Sequence, residues 1–346
     1  MRKIPILLSF IIVLFAACRN EFDITEHGPS IPIVYAILDH NDTVHYVRIN
    51  KSFFEYGMAQ NSDSILYGQI LQVKVFVINK ITGKTVKEIN FEKYNITKDS
   101  VNTHGNCVFS VAQHYVYAYK GVLTVGENYF YRLEINLNNK LIAYATTDCL
   151  FQFEYYYPLI NSMVQLRPDR FISTRWLLYN TGLIQIDLNV YYYEYNKIEN
   201  RYYVRNVTAS TGMISGSPKN IAFTCNPIID DIIEQIEKSD TTGIERRYIG
   251  MMILNYYMAN KDYAEQILIN GGIGSNDFET LPVTNIHGGF GVFGTRLRGK
   301  IGPVFFDGFT REKFNELVSS KLEPLKFPTE TIYHINLPDT LLWKAD

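Results

Sequence analysis

From Pro32 to about Phe153, short apolar runs alternate with turn residues. This predicts strands at Ile33–Leu38, Val44–Lys51, Ile70–Asn79, Lys84–Phe91, Cys107–Val111, Tyr129–Leu137 and Leu141–Phe151. The turns come from Asp39-His40-Asn41-Asp42, Thr82-Gly83, Thr103-His104-Gly105-Asn106 and Asn138-Asn139. Within the third run Val73, Val75 and Val77 share one side and Lys74 the other, as expected of a half-buried strand. Seven such strands in about 120 residues predict a β-sandwich.

After Tyr155-Tyr156-Tyr157-Pro158 the pattern changes. Strands continue at Phe171–Tyr179, Leu183–Tyr195 and Arg201–Thr208, but helical spacing now appears as well. Pro227 opens Ile228–Lys238, where Ile228, Ile229, Ile232, Ile233 and Ile236 fall on one face and Asp230 and Asp231 suit a helix start. Tyr263–Ile269 reads as a second helix and Arg311–Lys321 as a third, with Thr310 as its N-cap. Arg247–Tyr257 is apolar throughout and fits either helix or strand. Leu281–Ile286 and Phe290–Leu297 read as strands joined by His287-Gly288-Gly289. The second part is therefore expected to be α+β, a curved antiparallel sheet with two or three helices.

The run Leu123-Thr124-Val125-Gly126-Glu127-Asn128-Tyr129 precedes an alternating strand. It resembles the tyrosine corner of fibronectin type III and related sandwiches, with Tyr129 as the corner residue and Val125 where proline is usual. The resemblance implies an immunoglobulin-like sandwich over 32–154, followed by the α+β domain over 155–346, and so a mainly β protein.

The chain begins with the basic Met1-Arg2-Lys3 and an apolar stretch from Ile4 to Ala17, then Cys18. This is the order of a secretory signal, too short for the roughly 20 apolar residues of a membrane span. Phe15-Ala16-Ala17-Cys18 resembles a bacterial lipobox, with Phe15 in place of the usual leucine. The resemblance implies a signal peptide over 1–17 and lipidation at Cys18, a bond to the membrane through several acyl chains. Residues 18–31 are mostly polar and read as a flexible tether. Acidic Glu21 and Asp23 soon after that cysteine resemble, in scattered form, a surface-export signal of Bacteroidota lipoproteins.

Composition narrows the function. Lys and Arg total 33 against 35 Asp and Glu, a net charge of −2 that becomes −4 once Arg2 and Lys3 leave. With no basic cluster, nucleic acid is not an expected partner. Three cysteines remain after Cys18, an odd number. Cys107 and Cys149 either pair within the first domain or sit, like Cys225, as small buried hydrophobes. The seven histidines show no ligand spacing, no zinc pattern occurs, and no G-x-S-x-G elbow is present; the expectation is no metal, no cofactor and no catalytic residue. Gly289-Phe290-Gly291-Val292-Phe293-Gly294 matches G-x-G-x-x-G, but Thr295 to Pro303, with Gly299 and Gly302, does not continue as the helix a dinucleotide site needs. The segment reads instead as a glycine-rich strand that lets another backbone approach.

Two features point to binding and modification. Along Leu183–Tyr195, Tyr191, Tyr193 and Tyr195 share a face with Asp187 and Asn189, while Leu188, Val190 and Tyr192 share the other. The first face is either a stacking surface for sugar rings or a partner protein, or a covered cross-strand aromatic ladder. Asp followed by Ser or Thr and then an apolar residue or Thr resembles the Bacteroidota O-glycosylation signal, which implies modification at Thr43, Ser64, Ser100, Thr241 and Thr340. Asp-Ser and Asp-Thr pairs also simply start turns.

Val283 to Gly294 carries Asn285-Ile286-His287-Gly288-Gly289-Phe290-Gly291-Val292-Phe293-Gly294. It resembles an Asn-Ile-x-Gly-Gly-x-Gly-x-Phe-Gly segment in Bacteroidota surface lipoproteins that have no assigned activity, where it follows a lipobox and a sandwich. The resemblance implies a cell-envelope protein, and with no catalytic motif in view the expectation is a non-enzymatic lipoprotein at the outer membrane, on its periplasmic or exposed face. Its expected partners are the membrane through the anchor, and an outer-membrane protein such as a transporter or a glycan. The competing expectations are an envelope enzyme acting on glycans and a structural subunit of a secretion or motility apparatus.

Overall fold

The computed structural model describes residues 30–52, 66–97, 113–150, 153–167, 170–239, 242–270 and 284–307. The expected strand over Cys107–Val111 and helix over Arg311–Lys321 lie outside these, as do Cys18, Cys107, Ser64, Ser100, Thr241 and Thr340.

The fold is mainly β. In chain order the first elements are β1 (Pro32–Asp39), β2 (Val44–Lys51), β3 (Gln72–Asn79), β4 (Thr85–Thr97), β5 (Gln113–Lys120), β6 (Tyr129–Leu137) and β7 (Lys140–Asp148). There follow β8 (Phe153–Tyr157), β9 (Met163–Val164), β10 (Phe171–Leu178), β11 (Thr181–Asn196), β12 (Arg201–Ser210), β13 (Ile214–Ser215) and β14 (Asn220–Thr224). Helix α1 (Cys225–Lys238), β15 (Ile244–Asn260), α2 (Lys261–Asn270) and β16 (Phe290–Phe306) complete the described chain.

The main sheet runs β12-β11-β15-β16-β1-β2-β5-β4-β3-β6-β7, and a second sheet runs β14-β10-β8. Strand β4 serves two layers. Its first half pairs with β3 up to Phe91↔Val73, and its second half pairs with β5 from Glu92↔Ala118 onward. The sheet therefore folds back on itself. Val34, Ala36, Leu38, Val47, Ile49 and Tyr117 from one layer meet Val73, Val75, Val77, Leu133, Ile135 and Ala145 from the other in one buried cluster. Burial on every second residue of β3 shows why the valines were legible as a core face. Strand β5 carries Tyr115, Val116, Tyr117 and Ala118, all buried, a continuous run that alternation did not reveal.

The corner tyrosine is Tyr131, not Tyr129. Tyr129 lies at the rim of β6, half-buried and close over Gly126, where an added Cβ would stand 2.9 Å from its ring. Two residues further in, Tyr131 is 1 % exposed, and its hydroxyl donates to the Thr124 carbonyl at 2.9 Å. The free Cys149 thiol donates to that same hydroxyl at 3.3 Å, and burial pushes both groups' pKa values up.

A second buried cluster begins at Leu150. It lies between β11, β15 and β16 on one side and the small sheet with α1 on the other, and holds Trp176, Ile186, Leu188, Met252, Leu254 and Phe306. Ile228, Ile229, Ile232, Ile233 and Ile236 are all buried here, on the face their spacing predicted. The helix starts earlier than expected, at Cys225, so Asp230 and Asp231 fall beyond its first turn. The ambiguous stretch resolves as β15, whose partners on both sides leave no room for a helix.

Most of the second part's strands pair antiparallel among themselves, but β16 lies parallel to the short β9 and, from Ile33↔Phe290 to Asp39↔Arg296, parallel to β1, which makes the main sheet mixed. Of the strand expected over Leu281–Ile286, residues 281–283 lie outside the described residues, and Thr284–Ile286 are not strand. Asn285 takes the place of a strand residue instead: its Nδ2 donates to the Phe293 carbonyl at 2.7 Å, and the Phe293 N–H donates to its Oδ1 at 2.9 Å. His287 makes one reciprocal bridge to Tyr144, with the rings stacked 4.5 Å apart. Phe293 is fully buried in the first cluster, while Leu297, Ile301, Val304 and Phe306 of the same strand belong to the second. The glycine-rich segment is thus the seam between the two cores. Asn285→Ala removes the two bonds to Phe293, together with a longer one from Nδ2 to the Thr146 carbonyl at 3.4 Å, and is expected to destabilise the protein by about 2 kcal/mol in urea unfolding, at about 1 kcal/mol for each of the two short bonds. A loss below about 0.5 kcal/mol would show that the loop holds without them.

Polar ties cross the seam too. Buried Asn260 donates to Thr147 Oγ1 at 2.6 Å and accepts from the Thr295 N–H at 3.1 Å, while Thr147 donates to Asp262 at 2.7 Å. Asp39, 1 % exposed, receives Arg296 Nε and Arg298 Nε, each at 3.1 Å, and Asp42 pairs with Arg298 at 2.7 Å.

Candidate functional site

The small sheet buries one face and exposes the other. Ile172, Thr174 and Trp176 of β10, and Ile221 and Phe223 of β14, point into the second core. Trp176 Nε1 donates to Thr174 Oγ1 at 2.7 Å and Thr174 Oγ1 donates to the Ile221 carbonyl at 3.0 Å, so these two inner polar groups are satisfied within the sheet. Alternation then sends Phe171, Ser173 and Arg175 outward, beside Asn220, Ala222 and Thr224.

A bulge shapes the third strand. Arg175 stands opposite Tyr157, but the next residue, Trp176, stands opposite Tyr155, so Tyr156 is the extra residue. Regular alternation would turn Tyr156 inward. The bulge instead leaves Tyr156 and Tyr157 both facing solvent, 46 % and 48 % exposed, while Tyr155 packs edge-on against Trp176 at 4.8 Å. Together Tyr156, Tyr157, Ser173, Thr174, Arg175 and Asn220 line a shallow cleft of about 530 Å³. Glu154 accepts the Tyr156 hydroxyl, and that contact, with the Glu154 charge, pushes the Tyr156 phenol up. It also accepts from Tyr179 at 3.4 Å. Among the described residues no acid pairs with Arg175.

A cleft of similar size, about 510 Å³, lies over β4 and β5, but its cations are engaged: Lys93 sits 3.9 Å from the Tyr115 ring centre and Lys120 sits 5.6 Å from that of Tyr94. Of the two, the small-sheet cleft offers a charge that no described acid pairs with, beside exposed rings.

The tyrosines singled out on β11 are placed differently. Tyr193 is 1 % exposed, its ring tight against Gly250, and Tyr191 and Tyr195 are half-buried. Tyr195 packs on Tyr202 at 5.0 Å and Tyr202 on Tyr248 at 6.3 Å, so this face carries a cross-strand aromatic ladder. The opposite face continues from Tyr192 to Glu194, a carboxylate with no exposure that receives Arg247 Nε at 2.8 Å and Arg205 Nε at 3.0 Å. Alternation put Glu194 on the core side, the signal that a charged partner had to reach it. Thr43 is exposed in the β1–β2 turn, and its carbonyl accepts from the Gly121 N–H at 2.8 Å.

Sequence reading passed over Tyr156, Tyr157 and Arg175. Consecutive tyrosines before a proline were the available signal, but which of them face out depends on the bulge. Among the described residues no group of His, Cys, Asp and Glu could hold a metal ion, and no described helix is long and apolar enough to cross a membrane. The glycine segment continues as strand β16 rather than opening a helix, so it lacks the helix N-terminus a dinucleotide would need. Comparison with known proteins finds no matching family model and no matching curated protein.

Proposed function

We propose that this chain is a lipoprotein of the bacterial cell envelope, anchored through Cys18, that binds a ligand there and catalyses no reaction. The observation that carries the binding reading is the outward pair Tyr156 and Tyr157 beside Arg175, in a cleft whose six lining residues include no carboxylate. Tyrosine and arginine are, with tryptophan, the side chains enriched at binding hot spots, because each offers a large apolar surface and a polar tip. A glycan hydrolase would need two carboxylates flanking its cleft. The anchoring rests on the basic start, the apolar run and Ala16-Ala17-Cys18. Residues 18–31 are mostly polar, a composition suited to a tether between an anchor and the globular part. Thr43, exposed in its turn, is the described residue most open to the proposed O-glycosylation.

The test of anchoring is metabolic labelling. Cells grown with radioactive palmitate are expected to label the wild-type chain and not Cys18→Ser, which should also leave the membrane fraction. Equal labelling of the two, or a water-soluble wild type with an intact leader, would overturn the anchor.

A further inference from the structure

We infer that the small-sheet cleft takes an anionic sugar, a pyranose bearing a carboxylate or sulfate, with its ring on Tyr156 and Tyr157 and its negative group on Arg175. This deepens the binding reading above and rests on it.

The size of the cleft suits the class. About 530 Å³ falls within the usual range of small-ligand sites, and a depression that shallow fits one or two sugar rings better than a buried apolar cofactor. Paired aromatic faces present apolar surface to the axial C–H groups of a pyranose while their hydroxyls remain in water. Tyr157 stands directly across from Arg175 in the strand register, so ring and charge lie side by side, about 5 Å apart at Cβ. Glu154, the nearby acid, is occupied by the hydroxyls of Tyr156 and Tyr179, which orients one ring, and among the described residues no acid pairs with the guanidinium. A guanidinium binds a carboxylate or sulfate with two parallel hydrogen bonds, a match that a neutral sugar does not offer. Exposed Asn220, paired with Arg175 in the sheet, and exposed Ser173 add donors and acceptors suited to sugar hydroxyls.

The experiment uses the full-length chain in detergent and calorimetric titration with tetragalacturonate, its methyl ester, a sulfated tetrasaccharide, sialyllactose, cellotetraose and free sulfate. At least one acidic oligosaccharide should bind about tenfold or more tightly than its uncharged counterpart, the effect of one charged hydrogen-bond pair. Arg175→Gln should abolish that preference and leave the weaker neutral binding unchanged. Tyr157→Ala should weaken charged and neutral sugars alike, because stacking does not read charge. Free sulfate binding as tightly as the sugars would show an anion site without ring recognition and overturn the inference. Neutral sugars bound as well as acidic ones, with Tyr157→Ala harmful and Arg175→Gln silent, would overturn the charge reading and leave the binding function standing. Acidic sugars bound equally by both variants would place the site elsewhere. If no oligosaccharide binds, the glycan class is wrong, and a protein partner becomes the reading to pursue. All substituted residues are exposed, so unchanged thermal melting is expected and separates these outcomes from misfolding.

Discussion

Arg247→Met is expected to destabilise the protein by about 3–5 kcal/mol, the usual effect of stripping one partner from a buried ion pair. Glu194 has no solvent exposure and Arg247 about 2 %, with Nε to Oε1 at 2.8 Å. Without Arg247 the carboxylate keeps only Arg205, which is 43 % exposed and sits at 3.0 Å. Arg205 by itself is worth less: as a half-exposed partner, Arg205→Ala should cost about 1 kcal/mol or less. The double substitution Glu194→Leu with Arg247→Met should recover most of the loss, because removing both charges together leaves nothing buried and unpaired. Guanidinium unfolding of the wild type, Arg247→Met, Glu194→Leu and the double variant provides the cycle. A loss under about 1 kcal/mol for Arg247→Met alone would mean that water reaches Glu194 and that the strand is not held as described.

Gly291→Ala is expected to cost roughly 3 kcal/mol or more and to open the seam between β16 and β1, given the combined strain and steric terms. Gly291 has φ +111°, and a Cβ there would lie 1.9 Å from the Val34 carbonyl oxygen, which is backbone and has nowhere to go. Phe293, two residues on, is fully buried in the first core, so movement of the strand would draw it out. Gly212→Ala makes the comparison: φ is +64°, but nothing lies within 4 Å, so only the backbone cost of about 1–2 kcal/mol applies. Thermal melting measures both, and hydrogen exchange at the β1 amides locates the opening. Equal effects for the two glycines would show that β16 does not need close approach to β1.

The alternation of Val73, Val75 and Val77 and the isoleucine spacing of α1 were legible because burial on one face writes a period into the residues themselves. The corner tyrosine was misplaced by two residues, since Tyr129 and Tyr131 share a face and only depth within the layer separates them. Strand β5 was missed for a related reason: both of its faces are covered, so it shows no alternation. At the candidate site the tyrosines were visible, but a single bulge decided that Tyr156 and Tyr157 face outward together, while Tyr193, equally aromatic, went under Gly250.

The sequence by itself determined that the chain would be mostly strands, where many of them run, and that the glycine-rich segment would be extended backbone. These are local properties, set by side-chain periodicity and by the freedom of glycine. Only the tertiary structure decided that β16 would lie parallel to β1 and join the two cores, that Glu194 would be held by Arg247 and Arg205, and that two tyrosines and an arginine paired with no described acid would meet on one open face. Those depend on which strands become neighbours and in what register, and residues distant along the chain carry no local mark of being brought together.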